Sequence, residues 1–333
     1  AMAENYAPIE TLHEATPGSK LLGVDLGSNH IRLGTVDHSG KLIAFRREPY
    51  SQPAAQDSRE LADQILAVVR QVVDELTPTS PIKAIGVAVP SAVNQSSQSI
   101  LPMPHLPSLA EIDLHQEFRQ AFGVPVHFDN NANAAAFAEM TIGVARGVRD
   151  WLYLHIGANV SAGLVLGGRL QHGKSGLAGG IGRMRIDPER SGDSVPLENV
   201  VSAENIVRRT GERLNRDKTS SLSRLGAMGG FTYDDIIAAA HSGDELAKIM
   251  LQRTGIFLAM SLADVISLLN LAMVAVGGAP ASRQLLVRAI ETEAQQRTPE
   301  DLLHDCQIVA AELGAEASVI GAALLADDQY RER

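Results

Sequence analysis

The chain has 333 residues, of which 45% are hydrophobic, and a formal net charge of −10. This length predicts two lobes, and the acidic balance disfavours a nucleic-acid-binding surface, which needs clustered Lys and Arg. Cys306 is the single cysteine, which excludes disulfides within the chain and thiolate zinc cages and makes a reducing cytoplasm the expected location.

Two segments are candidates for an export signal and for a membrane span. Residues 1–19 are small, polar and punctuated by Pro and Gly, which predicts a disordered leader without a signal peptide. The most apolar stretch, Ile256–Val276, is interrupted by polar residues such as Ser261 and Asp264. This pattern predicts one buried helix with a narrow polar stripe and no membrane contact.

The chain begins with a pattern of short apolar runs separated by turns, which predicts a three-stranded meander. Its strands are expected at Leu21–Asp25, Ile31–Val36 and Lys41–Phe45. About 130 residues later the pattern recurs at Trp151–Ile156 and Ala162–Leu166, with Gly157 matching Gly27 and Asn159 matching Asn29. Helical periodicity and further strands follow each meander, so an internal duplication is the simplest interpretation.

One run of residues resembles a known catalytic motif. Residues 129–136 read Asp-Asn-Asn-Ala-Asn-Ala-Ala-Ala, which is similar to the Glu-Asn-Asp-Ala-Asn-Ala-Ala motif of the ROK family (repressors, open reading frames and sugar kinases). Further matches lie in order along the chain at Ile85–Pro90, Gly168–Leu170, Ser175–Gly182 and Val276–Gly278. Together they carry the resemblance from about Leu21 to the C-terminus.

The resemblance implies an α/β, two-lobed actin/hexokinase-like (ribonuclease H-like) fold, with duplicated βββαβαβα lobes around a cleft. Residues 20–130 would form the N-terminal lobe, with 316–333 packing back on it, and residues 131–315 the C-terminal lobe. The resemblance also implies a homodimer.

At the catalytic position of this motif the chain carries an amide. In the family the third residue of the motif is the Asp that takes the proton from the attacking sugar hydroxyl, and here it is Asn131. A carboxylate with a pKa near roughly 4 accepts a proton at neutral pH, whereas a carboxamide does not. The resemblance therefore predicts the fold better than the activity.

The nucleotide-binding positions implied by the resemblance are partly changed. Residues that could hold ATP and Mg²⁺ are Asp25, Gly27, Asn29, Gly157, Asn159, Gly277 and Gly278. After Gly27 the usual Gly-Thr-Lys is replaced by residues 28–30, Ser-Asn-His, which removes a long cation. In the second phosphate loop Ala158 replaces a residue with a hydroxyl, and Asn159, Ser161 and Ala162 replace glycines, so their side chains would crowd a triphosphate. The pair Gly277-Gly278 equally suits a plain turn from strand to helix.

The sugar-binding positions are also mixed. Asn130, Asn131, Glu198 and Arg183 are the residues that the resemblance assigns to the sugar. Arg183 replaces the His that serves both sugar and zinc, and it would face either an anionic ligand or a salt-bridge partner. The Cys-rich zinc loop is absent, so we expect no zinc or other structural metal, and we expect His172 to be a surface or hydrogen-bonded residue.

These changes favour one function and leave two alternatives. We expect a protein similar to sugar kinases, with impaired or lost phosphotransfer and a role in sensing a sugar or sugar derivative. The first alternative is an active, glucokinase-like carbohydrate kinase that uses another base such as Asp129, although strand alternation should turn that side chain away. The second, a DNA-binding repressor, would need a helix-turn-helix, for which the roughly 20 residues before Leu21 are too few.

Overall fold

The computed structural model describes residues 10–11, 20–27, 30–49, 58–76, 81–102, 110–187, 192–215, 219–278 and 280–331. They form two compact units. Unit 1 comprises Ala1–Arg146, Leu170–Ala178 and Glu316–Arg333, and unit 2 comprises Gly147–Arg169 and Gly179–Ala315.

Unit 1 is built on a six-stranded mixed sheet with helices on its faces. Its elements are β1 (Glu10–Thr11), β2 (Lys20–Leu26), β3 (His30–Val36), β4 (Leu42–Pro49), α1 (Ser58–Leu76), β5 (Ile82–Val89), α2 (Leu114–Phe122), β6 (Val126–Asn130), α3 (Asn131–Thr141) and α11 (Ala317–Arg331). The strand order is β1-β4-β3-β2-β5-β6. A cluster of buried side chains from α1, α2 and the sheet, including Phe118 and Phe128, forms the main core.

Unit 2 has a five-stranded sheet and a larger helical part. Its elements are β7 (Trp151–Ile156), β8 (Val160–Leu166), β9 (Arg169–Leu170), β10 (Arg185–Ile186), β11 (Val195–Pro196), α4 (Glu198–Val201), α5 (Ala203–Leu214), α6 (Leu222–Ala227), α7 (Tyr233–His241), α8 (Glu245–Leu269), β12 (Met273–Val276), α9 (Pro280–Arg297), α10 (Glu300–His304) and β13 (Gln307–Ala310). The main sheet has the order β13-β12-β7-β8-β9, and β10 pairs with β11.

The two main sheets repeat one topology. The order β4-β3-β2-β5-β6 in unit 1 corresponds strand for strand to β9-β8-β7-β12-β13 in unit 2. In both, the first two strands pair antiparallel and the later two add in parallel. The duplicated α/β fold predicted from the meanders is therefore confirmed.

The boundary between the units differs from the predicted one at residue 130. Residues 131–146 belong to unit 1, together with 316–333. The physical reason is close packing of α3 on α11, where a Cβ at Gly321 would overlap the carbonyl oxygen of Ala134. Within the predicted leader, Glu10 and Thr11 form β1 and pair with Phe45 and Ala44. The leader residues 1–9 and 12–19 lie outside the described residues.

The prediction of one helix over Ile256–Val276 is wrong. The stretch contains the end of a helix and then a strand. α8 ends at Leu269, and Asn270 adopts a left-handed φ of 49° while its N–H donates to Ile266. This is a common way to end a helix, and it allows β12 to begin at Met273. α8 is long and apolar enough to cross a membrane, but 61% of its most apolar window is buried. Its side chains enter two cores of unit 2.

Candidate functional site

The start of α3 carries the predicted sugar-binding residues Asn130 and Asn131. Asn130 is the N-cap: its Oδ1 accepts the N–H of Ala132 at 2.9 Å, and its Nδ2 donates to the carbonyl oxygen of Ser91 at 2.9 Å. Both ends of this amide are thus engaged within unit 1. Asn131 is the first helical residue and is half-buried, and its side chain makes no hydrogen bond among the described residues. Asn131 is therefore the amide that remains available to a ligand.

A buried carboxylate lies directly before this helix. Asp129 is 2% exposed, and its Oδ1 accepts the N–H of Asn130 at 2.7 Å and Nδ2 of Asn133 at 2.9 Å. Its Oδ2 lies 2.7 Å from Nε2 of His172 and 3.9 Å from Nε2 of His127. Burial alone would raise the pKa of Asp129, but the hydrogen bond from His172 and the charge of the two nearby histidines lower it to about 2. Asp129 is ionised at neutral pH and is a poor proton acceptor.

The sequence did not reveal the hydrogen-bond network around Asp129. His172 was expected to be a surface or hydrogen-bonded residue, and it is hydrogen-bonded. Its partner lies 43 positions away, and no periodicity connects them. The usable signal in the sequence was the alternation of side chains along β6, which turns Asp129 and Asn130 to opposite faces of the sheet.

The predicted phosphate-binding residue Asp25 is also buried and already paired. It is 1% exposed, and its Oδ2 lies 2.6 Å from Nη2 of Arg32 and accepts the hydroxyl of Ser318 at 2.7 Å. Its Oδ1 is buried and makes no hydrogen bond among the described residues. A long cation, Arg32, therefore lies beside Asp25 although residues 28–30 carry neither Lys nor Arg. Sequence reasoning missed it because Arg32 lies on the next strand, opposite Asp25.

The turn after β2 is described only in part. Gly27 donates its N–H to the carbonyl oxygen of His30 at 2.9 Å, and a Cβ there would lie 2.9 Å from the same oxygen. Burial and the charges of Arg32 and Arg47 lower the pKa of His30 to about 4, so its ring is neutral at pH 7. Asn29, predicted to contact the nucleotide, lies outside the described residues.

In unit 2 the structure brings two of the predicted glycine turns together. Gly278 has a φ of 102°, and a Cβ there would lie 2.5 Å from the carbonyl oxygen of Ile156, directly before Gly157. A Cβ at Gly277 would overlap the hydroxyl of Tyr153. These contacts explain both glycines by packing. Asn159 keeps an ordinary negative φ, so it does not imitate a glycine.

The remaining predicted sugar ligands lie close to each other in unit 2. Glu198 is the first residue of α4 and is half-buried, and a Cβ at Gly182 would lie 3.1 Å from its Oε2. Arg183 follows Gly182 at the end of the 3-10 turn Ile181–Arg183 and is exposed. Within the described ranges its guanidinium forms no ion pair. The salt-bridge alternative for Arg183 therefore has no partner in this part of the chain.

The metals implied by the resemblance can be tested against these side chains. At Asp25 the guanidinium of Arg32 and the hydroxyl of Ser318 already occupy Oδ2, and the positive charge opposes a second cation, so Mg²⁺ does not fit this arrangement. Among the described residues there is no group of three or more His, Cys, Asp or Glu that could hold a metal ion. Burial raises the pKa of the Cys306 thiol to about 11, so it is no thiolate ligand.

A cavity of about 850 Å³ occurs elsewhere in unit 1. It lies beside α2 and is lined by polar side chains including Gln116, Arg119 and His127. None of the predicted site residues lines it, so the candidate site at the start of α3 is a different surface.

Comparison with known proteins identifies the family. The model of the ROK family matches residues 21–329. The chain belongs to the ROK family. The resemblance drawn from the motifs is thus confirmed.

ROK relatives of two kinds are similar to this chain. It is 26% identical over 316 residues to the DNA-binding transcriptional repressor Mlc of Escherichia coli, covering 93% of this chain and 76% of that protein. It is 25% identical to a glucokinase of Halalkalibacterium halodurans, covering 92% and 95%. A ROK transcriptional regulator homologous to E. coli MLC superposes with a TM-score of 0.82, at 26% identity, covering 94% and 79%.

A ROK glucokinase of Streptomyces griseus, solved with glucose and AMPPNP, has a TM-score of 0.77 at 24% identity, covering 93% of this chain and 100% of that one. At this identity the likeness supports the fold. Family membership alone does not separate kinase from regulator.

Proposed function

We propose that this ROK protein binds a sugar or sugar derivative as a sensor and that its phosphotransfer is impaired or lost. The amide of Asn131 at the first position of α3 carries the proposal. A sugar hydroxyl that attacks a phosphate must lose its proton, and a carboxamide does not accept one. The same amide donates and accepts hydrogen bonds, which suits the binding of a hydroxyl.

The state of Asp25 supports impaired transfer. Phosphoryl transfer depends on positioning and on neutralising charge around the phosphates. The carboxylate that would support metal-bound phosphates is neutralised by Arg32 instead, at 2.6 Å. In unit 2 the side chains of Asn159 and Ser161 take the place of glycines, which limits the approach of backbone amides to a phosphate.

The sensor proposal also specifies the class of ligand, the oligomeric state and the cellular location of the protein. The ligand is a small carbohydrate or derivative, and an anionic one would suit Arg183. The assembly is a homodimer, and the location is the cytoplasm, consistent with one buried thiol, Cys306. The net charge of −10 argues against contact with a nucleic-acid backbone.

An active, glucokinase-like kinase is the second candidate. The observation in its favour is that the glucokinase relative aligns over 95% of its own length. This candidate needs another proton acceptor, and Asp129 is a weak one because its pKa is about 2.

Transfer of labelled γ-phosphate from ATP tests the proposal. The acceptors are D-glucose and a small-metabolite extract, and the proteins are the parent, Asn131→Asp and Asn215→Asp. Asn215 is exposed beyond the last residue of α5, so its variant makes the same chemical change away from α3. We expect little or no transfer by the parent or by Asn215→Asp, and faster but still slow transfer by Asn131→Asp, because Arg32 still neutralises Asp25 and the second phosphate loop is unchanged in that variant. A general base typically contributes about 10²–10⁴-fold.

Calorimetry with the same acceptors tests the sensing part. We expect the parent to bind sugar although it does not transfer phosphate. Transfer by the parent at a rate that Asn131→Asp does not increase would contradict impaired catalysis. Lack of binding by the parent to every acceptor would contradict sensing.

A further inference from the structure

His172 is held against the candidate site by a buried carboxylate. Its Nε2 lies 2.7 Å from Oδ2 of Asp129, whose Oδ1 is bound to Asn130 and Asn133 at the start of α3. Since Asp129 is ionised, Nε2 of His172 carries the hydrogen and donates it. In the neutral ring Nδ1 is then an unprotonated acceptor.

The backbone around His172 is fixed to the same corner of unit 1. The carbonyl oxygen of His172 accepts the N–H of Ala178 at 3.1 Å. A Cβ at Gly176 would overlap the carbonyl oxygen of Val93, and Gly176 has a φ of 79°, so the loop packs directly on the segment that follows β5. Ser91, two residues before Val93, holds the side chain of Asn130. His172 and α3 are therefore supported by one short segment, which pre-organises them for a common ligand.

Nδ1 of His172 makes no hydrogen bond within the described residues, and the side chain is 24% exposed. A carboxylate that orients an imidazole and sets its tautomer, leaving the second nitrogen open, is the arrangement that proteins use for proton-accepting histidines. Asn131, the available amide, follows Asp129 by two residues.

We propose that Asp129 and His172 form a dyad in which Nδ1 of His172 accepts a hydrogen bond from a ligand hydroxyl, as a second acceptor in addition to the amide oxygen of Asn131. The inference rests on the proposed function, because it assumes that a carbohydrate binds at the start of α3. Binding transfers no atom: the hydroxyl donates to Nδ1, Nε2 donates to Asp129, and His172 becomes a ligand-binding residue.

The charges around the ring set its dependence on pH. Asp129 acts on His172 directly and His127 acts through the shared carboxylate oxygen, while α3 contributes the neutral amide of Asn133 to that carboxylate. Burial lowers the pKa of His172, but the hydrogen bond and charge of Asp129 outweigh it, so the pKa lies above 6.5. Since protonation removes the acceptor, ligand binding should strengthen as the pH rises through this pKa.

The first test uses ¹⁵N-edited NMR of the histidine rings in the full chain without ligand. His172→Gln assigns the signal, and Asp129→Asn removes the charge. We expect the neutral ring of His172 to carry its hydrogen on Nε2, and its titration midpoint to fall in Asp129→Asn. A midpoint that is the same in both proteins would overturn the dyad.

The second test measures D-glucose binding by calorimetry from pH 5.5 to 9. We expect the affinity of the parent to rise with pH. In His172→Gln, whose amide still donates to Asp129, the affinity should be about three- to tenfold lower at high pH and independent of pH. His304→Gln is the matched control, because His304 is 84% exposed on α10. Thermal unfolding verifies that each variant is folded.

The outcomes separate this inference from the proposed function. If glucose binds the parent and His172→Gln with the same pH dependence, the dyad has no role in binding and the sensor proposal stands. If glucose binds neither the parent nor Asn131→Asp, the proposed glucose-binding function fails, and the role of His172 in binding fails with it.

Discussion

Arg32 and Asp25 are opposed residues on the neighbouring antiparallel strands β3 and β2, and their side chains form an ion pair of 2.6 Å. The carboxylate is 1% exposed, whereas the side chain of Arg32 is 21% exposed. Thus the carboxylate depends on this arginine for charge neutralisation, and the guanidinium reaches it from a position closer to the surface.

Replacing Arg32 with Met should therefore destabilise unit 1 strongly. Removing one partner of a buried ion pair leaves an uncompensated charge and typically costs about 3–5 kcal/mol. The double variant Asp25→Asn with Arg32→Met should recover most of the loss. Urea unfolding measures both free energies.

Arg208→Met is the control for this prediction. Arg208 pairs with Glu212 on α5, and both side chains are more than half exposed. Such a pair contributes less than about 1 kcal/mol, so this variant should unfold like the parent. Equal losses in Arg32→Met and Arg208→Met would contradict a special role for the pair with Asp25.

The sequence predicted the fold well because the fold depends on repeated local patterns. The turn at Gly157 and the strands Trp151–Ile156 and Val160–Leu166 repeat the first meander, and the sheets have the predicted topology. The end of α8 was missed because helix and strand are both continuous apolar runs there. Only the left-handed conformation of Asn270 separates them.

The candidate site was predictable in residue type but not in pairing. Asn131 was identified as an amide replacing a carboxylate, since that conclusion needs only the motif. The contact of Asp129 with His172 and that of Asp25 with Ser318 join positions 43 and 293 residues apart. Such contacts depend on how loops and α11 return to the sheet, and no local pattern encodes them.

The pH dependence of unfolding should report the network of Asp129. A carboxylate with a pKa lowered to about 2 in the folded protein stabilises it above the unfolded value of 3.8. This contribution is lost as the pH falls from about 4 to about 2, and it amounts to on the order of 2 kcal/mol. His172 has a raised pKa, so its contribution is present below pH 6.5 and is lost as the pH rises through that pKa.

Unfolding free energies of the parent and Asp129→Asn over the same pH range test this. The parent should lose stability relative to the variant between pH 4 and 2. The fall in the parent's stability as the pH rises through the pKa of His172 should be absent from Asp129→Asn. Parallel curves in the acid range would show that Asp129 is not stabilised as an anion.

Gly321→Ala should disrupt the packing of α11 on α3. A Cβ there would overlap the carbonyl oxygen of Ala134, which belongs to a helix backbone and cannot rotate away. Overpacking of this kind typically costs about 1–3 kcal/mol, and a backbone clash belongs at the upper end. In contrast, Gly211→Ala on α5 would meet only an atom of Phe231 at 4.0 Å. It should stabilise by about 0.5–1 kcal/mol. Thermal unfolding distinguishes the two signs.

Asn130→Ala should show how much Asn130, a predicted sugar-binding residue, contributes to the free energy of unfolding. The variant loses the N-cap of α3, about 1 kcal/mol, and the hydrogen bond to Ser91, about 0.5–1.5 kcal/mol. Asp113→Ala is the matched control, because Asp113 caps α2 by accepting the N–H of Gln116 and its side chain makes no other hydrogen bond among the described residues. Urea unfolding should therefore show a larger loss for Asn130→Ala, by roughly the strength of one hydrogen bond. Equal losses would mean that the bond to Ser91 adds nothing to stability, and the amide nitrogen of Asn130 would then be available to a ligand.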